Sequence, residues 1–223
     1  ISPESSHHEE GPGQNEIDFR YSTPLNAADN AVTFKSVVQT IARRNGLFAD
    51  FSPKPLMHES GNGLHINVSV KAESGEDVTE SFMAGVLEHT VEMTAFFNPV
   101  AASYKRLGEK KAPKYVTWSH ENRSQLIRIP AVKSESHRRM ELRSPDPAAN
   151  PYIVYALIIY AGLDGIKRNL KPAAPCNCNL FTADSAVTDS LTNLPDTIEK
   201  ARNIAKNSEF IKRVLPEGYA ESI

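Results

Sequence analysis

The run from Asn122 to Pro147, NRSQLIRIPAVKSESHRRMELRSPDP, constrains the fold more than any other stretch. It reads as two short strands, Ser124 to Ile129 and Arg138 to Arg143, joined by a polar loop. Strand side chains alternate between faces, so Arg138, Met140 and Leu142 point one way and Arg139, Glu141 and Arg143 the other. Burying Met and Leu commits this strand to a sheet with a core behind it. The Arg-Glu-Arg face then looks into water or onto a charged ligand. Two readings fit: Glu141 pairs with the arginines on a solvated face, or the arginines meet a polyanion and Glu141 holds the cation travelling with it.

Two further clusters share that character. Near the start, HHEEGPGQNEIDF sets Glu9 and Glu16 on either side of a turn-forming Gly11-Pro12-Gly13, so two strand ends meeting there both carry carboxylates. His7 and His8 precede the first, and Ile17, Phe19 and Tyr21 alternate as in a strand that joins a sheet. Later, SGNGLHINVSV turns at Gly61 and Gly63, then sets Leu64, Ile66, Val68 and Val70 on one face and His65, Asn67 and Ser69 on the other.

Between the clusters the chain reads as packing elements. Thr23-Pro24 opens a packing helix with Phe34, Val37, Val38 and Ile41 as its stripe, Arg43 and Arg44 in its last turn and Gly46 beyond. Leu47 to Phe51 reads as a short strand. Thr79 to Phe97 reads as a long helix with Phe82, Val86, Met93 and Phe97 toward the core. In the irregular ASYKRLGEKKAPKY, Arg106 is the cation expected to point inward, and a strand follows from Tyr115 to Trp118. Pro151 to Leu163 is apolar nearly all round, an interior helix far short of the ~20 residues that span a bilayer. Residues 171–194 form a surface loop, and Asp196 to Lys206 and Ser208 to Val214 two surface helices.

A chain of 223 residues with net charge −2 suits one soluble core and argues against general affinity for nucleic acid or anionic membrane. Cys176 and Cys178, the only cysteines, read as free thiols in a reducing cytosol. The chain starts on Ile1 with chemistry-bearing residues almost at once and no signal peptide, so it reads as a piece of a longer protein. Together the clusters supply carboxylates at Glu9, Glu16 and Glu141, one imidazole at His65, and Arg106, Arg123, Arg128, Arg139 and Arg143. That set suits Mg²⁺ or Mn²⁺ rather than zinc. Arginines beside such ions are what phosphoryl transfer needs. No Gly-rich phosphate loop and no Ser-His-Asp or Cys-His motif is present.

These runs, with ASYKRL, the Lys54-Pro55 loop, RRMELRSPDPAANPY and AGLDGI, resemble the catalytic C-terminal domain of glutamine synthetase in the family's own order. The resemblance implies an α+β fold over residues 1–223: a curved, mostly antiparallel sheet lining the cleft, with helices on its outer face, as in the guanido kinases. It implies ATP-dependent joining of ammonia to glutamate through a γ-glutamyl phosphate. Position by position, Glu9 and Glu16 resemble ligands of one divalent ion, and His65 and Glu141 ligands of the other. Glu4, Asn67 and Ser69 match positions on the nucleotide side. Ser60, Gly61, Arg106 and Arg143 match glutamate-holding positions, and Arg123, Arg128 and Arg139 those that meet the phosphates and the transition state. The parent is expected to be a cytoplasmic homo-oligomer of stacked rings.

Three departures qualify this. Ser60 stands where the family usually has Asn. Lys111, in a shortened loop, replaces the flap Glu thought to deprotonate ammonium, leaving Glu109 as the nearby carboxylate. The family's N-terminal β-grasp domain and its Glu-x-Glu strand are not in the chain, so the isolated piece is expected to have negligible ligase activity. The alternatives are a γ-glutamyl ligase using a polyamine or ethanolamine, and a non-catalytic relative.

Overall fold

A computed structural model describes residues 1–131 and 138–220. The loop expected between the two central strands falls on residues 132–137, outside the described residues. The chain opens with a hairpin, β1 (Pro3–His8) and β2 (Asn15–Phe19), paired antiparallel. Gly13, at φ +70°, makes the turn. Pairing outward from it sets His8 opposite Asn15 and His7 opposite Glu16. The hairpin forms its own two-stranded sheet beside the central one, so the alternating Ile17 and Phe19 find their strand partner in β1.

α1 (Pro24–Arg44) begins on Pro24 and closes at Gly46, φ +71°. Its stripe is only partly used. Phe34 packs edge-on against Phe19 and Phe51, but Val37 and Ile41 are exposed and only Ala28 and Ala31 are buried. It is a surface helix, not one packed into the core. No strand follows at Leu47–Phe51. The Leu47 N–H closes the helix on the Ala42 carbonyl, and Leu47 and Phe48 lie exposed with no strand beside them.

The central sheet runs β3-β6-β5-β4, from β3 (Ile66–Val68), β4 (Trp118–His120), β5 (Ile127–Ile129) and β6 (Met140–Leu142). β6 lies antiparallel to β3 and β5, and β4 parallel to β5. One cross-strand row reads Asn67, Glu141, Arg128; its neighbour reads Ile66, Leu142, Ile127, all buried. The alternation read in the central run therefore holds. The strand expected from Tyr115 starts at Trp118, Tyr115 making only one bridge to Asn193. Ser124 stays out of the ladder because its N–H donates to Asn122 Oδ1 at 2.9 Å, an Asx turn.

Helices back the apolar row. α2 (Thr79–Phe97) is buried along most of its length and crosses α3 (Pro151–Lys167). At the crossing, a Cβ on Gly85 would stand 2.1 Å from the Ala161 carbonyl oxygen, and one on Gly165 2.7 Å from the Gly85 nitrogen, so only glycine lets the backbones touch. α3 is not interior on all sides: Val154, Leu157, Ile158 and Ala161 are buried, while Tyr152, Tyr160 and Leu163 face outward. As an outer-layer helix it spends one stripe on the core and leaves the other wet. α4 (Ser185–Thr188) is a single turn in the long surface segment, and α5 (Ile198–Asn207) and α6 (Glu209–Val214) pack on α2. His89 joins these helices, with Nδ1 2.6 Å from Glu92 and Nε2 2.9 Å from Asp164, under the stacked ring of Phe210. Among the described residues no helix is long and apolar enough to cross a membrane.

Candidate active site

The polar row of the central sheet and the turn end of the hairpin face one another. Gln14 links them: its Nε2 donates to the Gly61 carbonyl at 3.1 Å and to Asn62 Oδ1 at 2.9 Å, while its Oε1 accepts from the Gly11 N–H at 3.1 Å. Gly61 must be glycine here, because a Cβ would meet the Pro53 carbonyl oxygen at 2.4 Å and Arg106 Cγ at 2.9 Å.

On the hairpin side, the register brings His7, Glu9 and Glu16 onto one face. One ligand atom from each lies within 4.8 Å of the others. His7 Nε2 is 3.2 Å from Glu9 and 4.0 Å from Glu16. Burial and the like charges of Asp18, Glu9 and Glu141 push the Glu16 carboxyl above its usual range, against the pull of His7. Glu9 is held lower, the Lys111 ammonium and His7 outweighing its burial. Two carboxylates and an imidazole carrying surplus negative charge fit a hard divalent cation, Mg²⁺ or Mn²⁺. Of the three, His7 was not singled out as a ligand in the sequence. The signal was there, since counting outward from the Gly11–Gly13 turn places it opposite Glu16.

On the sheet side the balance reverses. Glu141 is buried, with Oε1 3.3 Å from His65 Nδ1 and 3.0 Å from Arg143 Nη1, and its Oε2 faces Arg128 Nε in an ion pair. Burial alone would raise this carboxyl. The His65 contact and the Arg143 and Arg128 charges win, and hold it at about 2. Desolvation pushes the His65 imidazole below its usual value, which favours the neutral form that can bind a metal. Arg143 is itself buried, and its Nη2 donates to the Lys111 carbonyl at 3.1 Å. Arg139 Nε donates to Asn67 Oδ1 at 3.1 Å on the same face. Arg123 is exposed, close enough to lower Arg143 by repulsion.

Arg106 is buried as expected. Its guanidinium is engaged by backbone: Nη1 donates to the Ser144 carbonyl at 2.7 Å and Nη2 to that of Arg143 at 3.1 Å. Desolvation lowers it to about 10, still charged at neutral pH. Ser60 is buried and donates to Glu10 at 2.9 Å. Glu109 is exposed on the loop that carries Lys111. Ser69 lies exposed just past β3. Glu4 stands apart, exposed at an irregularity of β1. Five residues of strand put it about 16 Å along the chain from Glu9. Cys176 and Cys178 are free, their sulfurs 3.2 Å apart.

A family model described as "Glutamine synthetase, catalytic domain" matches residues 1–223. Glutamine synthetases of Clostridium saccharobutylicum and Methanosarcina mazei are each 43% identical to the chain, over 95% and 96% of its length. The chain spans about half the length of these curated relatives, 51% of each. A solved GmaS–ADP complex superposes with a TM-score of 0.86 at 32% identity, over 99% of this chain and 54% of that one. The α+β architecture, the polar row and the hairpin carboxylates thus coincide with a match along the entire sequence, and the chain belongs to the glutamine synthetase catalytic-domain family.

Proposed function

We propose that residues 1–223 are the catalytic-domain half of an ATP-dependent ligase that forms glutamine from glutamate and ammonia through a γ-glutamyl phosphate. The observation that carries this reading is that two differently charged groups meet at one residue: Lys111 pairs with Glu9 of the His7, Glu9, Glu16 set through its ammonium, and its carbonyl accepts from Arg143 of the Arg128, Glu141, Arg143 set. Transfer of a γ-phosphoryl group to a carboxylate brings several negative oxygens together, and catalysis is mainly their neutralisation and alignment. Glu9 and Glu16, joined by His7, would hold one divalent ion and His65 with Glu141 a second; bound ions supply charge neutralisation at the phosphates.

In this reading Arg123, Arg128 and Arg139 meet the phosphates, with Asn67, Ser69 and Glu4 on the nucleotide side. Arg143, Arg106, Gly61 and Ser60 form the glutamate end. Arg128 and Arg143 already share Glu141, so a phosphate arriving at the cleft meets guanidinium groups fixed in place. The GmaS relative bound to ADP supports the nucleotide part. Cytoplasmic location and assembly into rings belong to the same proposal.

A larger amine in place of ammonia is the second reading. It is favoured by Lys111, whose ammonium lies 3.3 Å from Glu9 where the family usually places a flap carboxylate. The test joins this chain to the N-terminal half of the Clostridium saccharobutylicum relative and follows ADP release and amide formation with ammonia, putrescine and ethanolamine. Glutamine formation with ammonia supports the first reading, and turnover only with a larger amine supports the second. A folded hybrid that binds nucleotide yet turns over no amine would leave the non-catalytic relative. The chain alone is expected to show negligible turnover.

A further inference from the structure

Ser60 and Lys111, the two residues at which the sequence departs from the pattern the resemblance implies, meet through a third residue. Ser60 Oγ donates to Glu10 Oε2 at 2.9 Å, and Glu10 Oε1 lies 3.1 Å from Lys111 Nζ. The same ammonium lies 3.3 Å from Glu9 Oε2, while the other oxygen of Glu9 meets His7. Glu9 therefore faces His7 and Glu16 with one oxygen and the flap with the other. The Lys111 carbonyl accepts from buried Arg143, and Lys110 and Lys111 both have positive φ, +28° and +37°, so a strained turn presents the Lys111 side chain.

Resting on the reading of Glu9 and Glu16 as ligands of a divalent ion, we propose that Lys111 is a positioning residue whose ammonium moves from Glu9 onto Glu10 when the ion binds. Lys111 and a divalent ion are both cations competing for one carboxylate, and they repel each other. Glu10 gives the displaced ammonium a partner within reach of the same side chain. Ser60 holds Glu10 in place and leaves its second oxygen for Lys111. Metal binding and the flap are thereby linked, and the linkage is reciprocal: whatever holds Lys111 on Glu10 tightens the ion, and the ion fixes the flap. Ser60 and Lys111 act as a pair, with Glu10 as the joint between them.

The test is a double-mutant cycle on the whole chain, reading Mn²⁺ affinity by calorimetry and by the electron paramagnetic resonance of free Mn²⁺. Thermal unfolding of each variant checks the fold. Glu10→Gln leaves Lys111 on Glu9 alone and is expected to weaken Mn²⁺ about tenfold. Lys111→Met is expected to tighten it about threefold. In the Lys111→Met background, Glu10→Gln should change affinity by less than about twofold, because no ammonium needs a second partner. Ser60→Ala should reproduce a weaker form of Glu10→Gln. Equal losses from Glu10→Gln with and without Lys111 would mean that Glu10 acts only as a distant charge, and would overturn the proposal. Mn²⁺ binding indifferent to Glu16→Ala would remove the metal site itself, and the coupling with it. Normal binding with additive effects removes the coupling alone.

Discussion

The two carboxylate groups of the cleft solve opposite problems. At the hairpin, Glu9 and Glu16 lie near each other on partly exposed strands, with the His7 ring and the Lys111 ammonium beside them, and Glu16 is driven up by burial and like charge. At the sheet, Glu141 is buried and overmatched by Arg128, Arg143 and His65, and driven down. One side is left with charge that an added cation would relieve; the other brings its own counter-ions. The difference lies in the backbone that carries them. A two-stranded hairpin at the surface can keep uncompensated charge in water, whereas a central strand cannot bury a carboxylate without partners.

The largest expected effect tests the sheet side. Glu141→Ala leaves Arg128 and buried Arg143 without their shared partner and should cost about 3–5 kcal/mol in urea unfolding. A loss under about 1 kcal/mol would show that these arginines are already solvated, and the contrast would fail.

Acid titration sharpens it next. Glu141, depressed in the folded chain, contributes stability that is complete above the ordinary carboxylate range of about 4.5 and lost as pH falls toward about 2. That contribution is on the order of 3 kcal/mol. Glu16, raised, has the opposite sign: its protonation on acidification relieves repulsion and adds stability. Unfolding free energies from pH 6 to about 2.5 in Glu141→Gln and Glu16→Gln should therefore slope differently from the wild type, in opposite directions.

Mn²⁺ should stabilise the wild-type chain, with about 2.7 kcal/mol coming from the hairpin ion at a hundredfold excess over its Kd, and Glu16→Ala should remove that part of the shift. His7→Ala should shrink it without removing it, and an unchanged shift would take His7 out of the site. The smallest effect concerns Glu16→Gln without metal, which should stabilise the fold slightly, by less than about 1 kcal/mol, because the group is only half-buried and water screens the repulsion it relieves. Clear destabilisation would mean that the hairpin carboxylates are held by partners after all, and the two sides would no longer differ in kind.

What could be read in the sequence was what depends on short-range periodicity. The alternation of Met140 and Leu142 against Glu141 and Arg143, the bounds of the Thr79–Phe97 helix, the inward Arg106 and the approach of Glu9 to Glu16 each follow from local spacing. What failed depends on the neighbours an element finds. The stripe of α1 and the apolar run of α3 have the right periods, but periodicity does not say how much of a face will be covered. The irregular backbone of residues 47–51 follows from the positive φ of Gly46 and the lack of a strand alongside. In the site, the hydrogen bond from Ser60 to Glu10 and the Glu10–Lys111 ion pair join residues roughly fifty and a hundred positions apart in the chain, beyond any local pattern.

Gln14 carries a final consequence. Its one amide group spans hairpin and body, touching the Gly11 amide on one side and Gly61 and Asn62 on the other. It works as a spacer of fixed length, setting how wide the gap between the two charged walls stands. Shortening it to Asn would leave every charge intact and still put the walls at the wrong separation, so the cleft is gauged by a residue with no charge of its own.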